Sequence, residues 1–324
     1  MTPIRWGIAS TGNISGSMAT ALAGVDGGDI VAVGSRTQEA ADAFAATHTI
    51  TNAHGSFTAL CADPDVDVIY IGSPHHEHRG MAIEALDAGK HVLCEKAFAL
   101  NRPEAEEMIA AARRNDRFLM EAMWSWFMPG WHEVRNRIEA GAIGDIVTID
   151  ANFAIPVSDP NGRHRRIDMG GGALLDLGIY PLSIARFLLG EPTDVRALGR
   201  LTADGVDAAV AGSMLHDSGA VTTFSTSLDG TSDLTARIVG TGGRIEIDAP
   251  FWFPTAFTVT VDGERDRVET PNRGLAHEAE HTMDRIRSGH IESDIQTWNA
   301  TLANMELMDE IRRQLGVFYP SEVG

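Results

Sequence analysis

Short apolar runs alternate with helical patterns through the first third of the chain. Ile4–Ala9, Ile30–Gly34, Val66–Gly72, His91–Glu95 and Phe118–Glu121 read as strands. Between them, Ile14–Leu22, Gln38–Ala46, Glu77–Ala88 and Pro103–Arg114 carry apolar residues at helical spacing. The strand runs lack polar alternation, which implies burial on both faces. Strands of that kind alternating with helices form a parallel sheet covered on both sides. The pattern predicts an α/β, doubly wound nucleotide-binding domain over residues 1–123.

From Trp124 the pattern changes. A helix at Gly130–Ala140 leads to a strand at Ile146–Ala154, then to an irregular loop, Ile155–Met169, rich in Arg, Pro and Asp. A helical run, Gly172–Leu189, follows, with Pro181 inside it. Ala209–Leu215, Ala220–Ser227, Ala236–Val239, Arg244–Ile247 and Phe257–Val261 then alternate apolar and polar residues. Period-two alternation leaves one sheet face uncovered by helices of the same domain. Residues 124–324 are therefore expected to form an α+β domain with a large, mostly antiparallel open sheet. Helices at Leu275–Arg287 and Thr297–Leu315 are expected to close it.

Composition narrows the function. The formal net charge of -19 argues against binding nucleic acid or an anionic membrane, because phosphate neutralisation needs Lys and Arg. Cys61 and Cys94 give no disulfide framework and read as reduced core residues. Met1-Thr2-Pro3-Ile4-Arg5-Trp6 lacks the basic-then-apolar signature of a secretory signal. No uninterrupted apolar run approaches the roughly eighteen residues that span a bilayer. A cytoplasmic location is the expectation.

The candidate chemistry begins at the first strand-to-helix turn, Gly7-Ile8-Ala9-Ser10-Thr11-Gly12-Asn13-Ile14-Ser15-Gly16. A dinucleotide fingerprint wants G-x-G-x-x-G here, so that backbone can approach the pyrophosphate at a helix N-terminus. Gly12 is in place, while Ser10 and Ser15 stand where the other two glycines belong. The second strand ends in Ser35-Arg36 with no carboxylate, which suits the 2′-phosphate of NADP better than the bare ribose of NAD, though NAD use stays open. Only two lysines occur in the chain, Lys90 and Lys96, both in Gly89-Lys90-His91-Val92-Leu93-Cys94-Glu95-Lys96. A desolvated Lys, unlike Arg, can give up its proton near neutral pH.

Ile69-Tyr70-Ile71-Gly72-Ser73-Pro74-His75-His76-Glu77-His78, the Glu95-Lys96 run, Glu121-Ala122-Met123-Trp124 and Gly170-Gly171-Gly172-Ala173-Leu174-Leu175-Asp176-Leu177-Gly178-Ile179-Tyr180 occur in that order. Together they resemble the Gfo/Idh/MocA oxidoreductase family, in the branch of dimeric dihydrodiol dehydrogenases and NADP-dependent D-xylose dehydrogenases. The resemblance runs from Arg5 to about Tyr319. It implies a Rossmann domain, NADP or NAD as cofactor, and a homodimer or higher homo-oligomer. It also implies hydride transfer between nicotinamide and a secondary alcohol or ketone of a sugar, cyclitol or dihydrodiol. Lys96 takes the place of the family's catalytic lysine, and Asp176 and Tyr180 that of its acid–base pair. Ser10, Thr11, Gly12, Asn13, Ile14, Ser35, Arg36, Ser73, Pro74, His75, His78, Glu95 and Lys96 are the expected cofactor contacts. Trp124 and Tyr180 are the expected substrate contacts. Two positions depart from the family pattern: Ala97 stands where proline is usual, and His75 where asparagine is usual.

Other readings are weaker on these residues. An NAD-dependent glycosidase on the same fold would want an acidic residue after the second strand. A non-catalytic dinucleotide sensor would have no need of Lys96, Asp176 and Tyr180. His277-Glu278-Ala279-Glu280-His281 matches the zinc-peptidase pattern H-E-x-x-H. It lies late in the second expected domain, and no metal is expected there; the histidines read as packing groups with Glu278 on the solvated side. Trp124, Trp126, Phe127 and Trp131 form either an aromatic floor for a sugar or diol, or domain packing.

Overall fold

The computed structural model describes Pro3–Glu322. The outer limits of the two expected domains, Met1, Thr2, Val323 and Gly324, lie outside the described residues. Two compact units emerge. One comprises the chain up to Trp124 together with Arg273–Leu302, and the other Ser125–Asn272 together with the chain from Ala303 onward.

In the first unit the elements run β1 (Ile4–Ala9), α1 (Asn13–Leu22), β2 (Gly28–Gly34), α2 (Gln38–His48), β3 (Asn52–His54), α3 (Phe57–Cys61), β4 (Val68–Ile71), α4 (His75–Asp87), β5 (His91–Glu95), α5 (Arg102–Asn115) and β6 (Leu119–Ala122). Among the described residues the strands form a six-stranded parallel sheet in the order β3-β2-β1-β4-β5-β6. Every residue of β4 and β6 is buried, and β5 is buried after His91, as the unbroken apolar runs require. Cys61 and Cys94 are buried thiols within this core.

The segment Arg273–Leu302 corrects the expected domain limits. Its helix α8 (Ala276–Arg287) does not close the second domain but packs with the first unit, burying Ala276, Glu278, Ala279, Thr282 and Met283. The reason is an unpaired sheet edge. The Leu119 N–H of β6 donates to Ile291 O at 3.1 Å, and Trp298 Nε1 donates to Leu119 O at 2.9 Å, so the returning chain covers the last strand.

The second unit contains α6 (Pro129–Glu139), β7 (Ile146–Ala154), α7 (Ile179–Leu189), β8 (Pro192–Leu201), β9 (Asp207–His216), β10 (Val221–Ser227), β11 (Ala236–Gly240), β12 (Arg244–Ile247), β13 (Ala256–Val261) and β14 (Glu264–Glu269). Its eight-stranded sheet runs β14-β13-β12-β11-β7-β10-β9-β8, antiparallel except for the β7–β10 pair. A last helix, α9 (Trp298–Leu315), begins in the first unit and ends in the second.

One face of this sheet carries the core, with Ile149, Ala151 and Phe153 of β7 and Thr222, Phe224 and Thr226 of β10 buried. Helix α7 packs on that face, buried from Ile179 to Phe187. It ends the stretch Ile167–Leu189, which is apolar enough to cross a membrane but is a core element here, with 89% of its most apolar window buried. The expected helical run from Gly172 is found, in two parts. Residues Leu174–Gly178 form a π-turn and the α-helix begins only at Ile179. Pro181 is the third residue of this α-helix, and helical backbone runs into it unbroken from the π-turn.

Candidate active site

In the first unit β1 pairs with β2 on one side and β4 on the other, so the strand order reverses there. Doubly wound sheets bind ligands outside the carboxyl ends of the strands at that reversal. The two ends are stitched together: Ser10 Oγ donates to Gly72 O at 3.1 Å, and the Gly72 N–H donates to Ala9 O at 3.2 Å. Ser10 itself sits at φ 88°, the left-handed region that favours glycine, and its Oγ accepts the Gly12 N–H at 3.2 Å. That local bond lets a serine take the place of the first fingerprint glycine. A Cβ at position 72 would come within 2.5 Å of the buried Ser15 Oγ, so the close approach of the loops demands Gly72.

Gly12 caps α1, whose first turn holds no acidic residue. Its first N–H groups have no intrahelical acceptor and suit a phosphate. The turn Ser10-Thr11-Gly12-Asn13-Ile14 thus fits a dinucleotide. Ser35 follows β2 and is held by its N–H to His54 O at 3.0 Å, while Arg36 is exposed beside it.

Ser73 and Pro74 lead from β4 into α4, where His75 and His78 are buried and meet edge to face at 5.7 Å. The His78 ring nitrogens lie 2.8 Å from Ser73 O and 3.0 Å from Ala97 O, tying this loop to the turn after β5. That turn is fixed from several sides. Glu95 accepts the Lys96 N–H at 3.2 Å and the Tyr70 hydroxyl at 2.6 Å, and Glu121 accepts the Phe98 N–H at 3.2 Å. Ala97, Phe98 and Ala99 are fully buried, and the Lys96–Ala97 peptide is cis. Lys90, the other lysine, is structural: its buried Nζ donates to Asp63 O and Val66 O at 2.6 and 2.8 Å.

Glu278 is corrected. It is fully buried, with neither carboxylate oxygen meeting a donor among the described residues. Burial pushes its carboxyl well above the usual range, and the neighbouring charge of Glu95 adds to the shift. The helix face that packs on the first unit carries Glu278 inward together with Ala279 and Thr282. His277 Nε2 accepts the Arg273 N–H at 3.1 Å, and His281 Nε2 lies 2.8 Å from Ser293 Oγ. The two imidazoles thus serve separate local hydrogen bonds.

In the second unit Asp176 lies in the π-turn, 9% exposed, with Arg163 Nη2 at 3.2 Å and His164 Nε2 at 3.3 Å. Both partners come from the loop expected to be irregular, in a short 3-10 turn, Arg163–Arg165. Tyr180 packs 5.4 Å from Phe153 and 5.8 Å from Trp252, which themselves stack at 3.7 Å. Of the aromatic residues expected either as a floor or as packing, Trp126, Phe127 and Trp131 are buried in the core of this unit. Trp131 Nε1 donates to Phe251 O at 3.0 Å, and Trp126 packs on Phe187 at 5.3 Å. Trp124 ends the first of the two segments that make up the first unit.

Sequence reasoning missed Arg163, His164, Phe153 and Trp252. Phe153 was legible as an inward position of β7. The loop residues carried no periodic signal.

The doubly wound sheet, with Gly12 capping the first helix at the strand-order reversal, is the architecture of a dinucleotide-binding domain. Residues 4–123 match the model described as "Oxidoreductase family, NAD-binding Rossmann fold", and residues 131–246 match the GFO/IDH/MocA C-terminal domain. The chain belongs to the Gfo/Idh/MocA family of NAD(P)-dependent oxidoreductases.

It is 37% identical over 331 residues to trans-1,2-dihydrobenzene-1,2-diol dehydrogenase of Xenopus laevis, covering 98% of this chain and 99% of the relative. The Homo sapiens enzyme of that name is 33% identical over 337 residues, with 98% and 99% covered. Among solved structures, aldose-aldose oxidoreductase from Caulobacter crescentus superposes with TM-score 0.89 at 25% identity, covering 96% of this chain and 97% of that one. A 3-ketoreductase from Actinomadura kijaniata, solved with NADP and TDP-benzene, gives 0.89 at 26% identity, covering 98% and 99%.

Proposed function

We propose that this oxidoreductase prefers NADP and acts on a secondary alcohol or ketone of a sugar, cyclitol or dihydrodiol. The dihydrodiol in the names of its relatives and the aldose in that of a structural neighbour support that substrate class. The observation that carries the reading is the clamped turn at Lys96. Buried Glu95, His78 and Glu121 all hold its backbone at the carboxyl end of the sheet.

Ser10–Ile14 would hold the pyrophosphate, and Ser35 and Arg36 the 2′-phosphate. Ser73, Pro74, His75, His78 and Glu95 would shape the nicotinamide end. The bound dinucleotide supplies the hydride acceptor or donor. Lys96 takes the hydroxyl proton as the carbonyl forms and returns it in the reverse direction. Tyr180 donates to the same oxygen, and Asp176, held by Arg163 and His164, orients the hydroxyl beside the Phe153–Trp252 stack. Trp124 contributes an apolar contact to the substrate.

The test is a screen of aldoses, polyols and trans-dihydrobenzenediol with NADP and NAD, following nicotinamide absorbance, with Lys96→Met alongside. Lys96→Met should abolish turnover while dinucleotide affinity holds, because the loss falls on the transition state. Tyr180→Phe and Asp176→Asn should each lower kcat by roughly 10²–10⁴-fold. A Lys96→Met protein that keeps most of its kcat overturns the mechanism.

A further inference from the structure

Asp207 lies at the start of β9, fully buried, outside every motif described above. Its Oδ2 accepts the Leu174 N–H at 2.7 Å, at the point where the chain enters the π-turn that carries Asp176. Its other oxygen lies against Gly172: a Cβ there would come within 2.2 Å of Asp207 Oδ1, and φ at this glycine is +136°. Gly171 is confined as tightly. A Cβ on it would meet Arg163 O and His164 O at 2.7 Å and Arg166 O at 2.8 Å.

The same turn reaches both Asp176 and the loop that pairs with it. The Gly171 N–H donates to Arg166 O at 2.9 Å and the Gly172 N–H to His164 O at 3.0 Å, fixing the loop that places Arg163 and His164 on Asp176. Gly172 O accepts the Asp176 N–H at 3.3 Å. The far side is anchored by the buried Tyr319 hydroxyl, which donates to Gly171 O at 3.0 Å. The glycine run is thus the shape complement of one carboxylate and three carbonyls.

We propose that Asp207 is a positioning residue for the reaction, holding the Gly171–Leu174 turn and through it aligning Asp176, Tyr180 and the Arg163–His164 pair. This inference rests on the assignment of Asp176 and Tyr180 above. A carboxylate that served only general stability would act alike on all of the second unit. One that aligns the turn acts on kcat and on the mobility of residues 163–180 alone.

Three variants separate the cases, assayed with trans-dihydrobenzenediol and D-xylose. Asp207→Ala leaves the Leu174 N–H without its acceptor and should lower kcat by about tenfold or more, with dinucleotide affinity unchanged. Asp207→Asn keeps a carbonyl oxygen of the same reach and should recover most of that loss. Tyr319→Phe removes only the hydroxyl on Gly171 O and should lower kcat in the same direction; it decides the matter if Asp207→Ala does not fold.

Hydrogen exchange, which needs no substrate, should rise over residues 163–180 in Asp207→Ala and stay unchanged in β10 and β11. Combined with Asp176→Asn, the Asp207→Ala loss should be less than additive, as for residues acting as a unit. Additive losses, unchanged exchange, an Asn variant no better than Ala, or wild-type kcat in Tyr319→Phe each overturn the positioning role. Wild-type kcat in both Asp176→Asn and Tyr180→Phe would instead remove the site assignment, and this inference with it.

Discussion

Asp207 also makes the stability of the protein depend on pH, in a direction that can be worked out. Burial pushes its carboxyl up to about 7, against the opposing pull of the Leu174 N–H and the Arg312 charge. An unfolded aspartate titrates at ~3.9, so ionising the buried carboxyl costs the folded protein about 4 kcal/mol. Between about pH 4 and about pH 7 the folded protein keeps a proton that the unfolded chain gives up. Folding then takes up protons, and stability falls as pH rises through that window. Above about pH 7 both states are ionised and the dependence ends.

Asp207→Asn removes this titration. It also places a buried amide N–H group where Oδ1 has no partner among the described residues, a fixed penalty of about 1–3 kcal/mol at every pH. The variant should therefore be less stable than the parent near pH 4.5 and equal to it or more stable near pH 8, the two curves crossing between roughly these limits. Carboxylates held low by partners, such as Asp63 beside His54, Asp67 beside Arg5 and Glu310 beside Arg313, are common to both proteins and cancel in the difference. Urea midpoints followed by tryptophan fluorescence and circular dichroism across this range are the measurement. A stability difference that stays constant with pH would show that Asp207 is ionised throughout and would refute the reasoning.

Arg36→Ala should weaken NADP roughly ten- to a hundred-fold and leave NAD unchanged, as loss of a charge-assisted contact to the 2′-phosphate requires; equal dissociation constants for NADP in parent and variant would remove Arg36 from the site. Glu278→Gln should gain melting temperature over the parent as pH rises above the ordinary carboxylate range, because the buried acid stays protonated only in the folded state. An equal loss at acid and neutral pH in thermal melts would refute that protonation. The open face of the second sheet exposes Leu198 (84%) and Leu215 (45%) among the small residues Ala209, Ala211, Ser225 and Ser227, a surface suited to a second copy of the chain. Light scattering should give at least about twice the protomer mass, and Leu198→Arg should lower it; a monomer in the parent would refute the assembly.

The strands that escaped the hydrophobic pattern share one property. Asn52–His54, Pro192–Leu201 and Glu264–Glu269 are edge strands of their sheets. An edge strand is paired on one side only, and proteins blunt it with charge, proline or brevity. Glu-Arg-Asp-Arg-Val-Glu and a three-residue strand therefore give no apolar run to find. Interior strands were legible nearly to the residue: His91–Glu95, Ile146–Ala154 and Arg244–Ile247 fall at the observed limits. The helix Ala276–Arg287 was legible as a helix but not as part of the first unit. Amphipathic spacing says that one face is buried and cannot say against what, and here that face carries a buried glutamate.

The candidate site divides along the same physical line. Glycines at the nucleotide turn and the lone lysine after an apolar run are local signals, because backbone approach and residue chemistry are fixed by the residue itself. Arg163, His164 and Asp207 are defined only by what they meet in space. The triple glycine nonetheless recorded them in negative: Gly171 and Gly172 are small because three carbonyls and a carboxylate fill the space where side chains would be. A glycine run that precedes a core helix thus marks buried polar groups packed against the backbone, and the partners to seek are acceptors for the N–H groups of the turn.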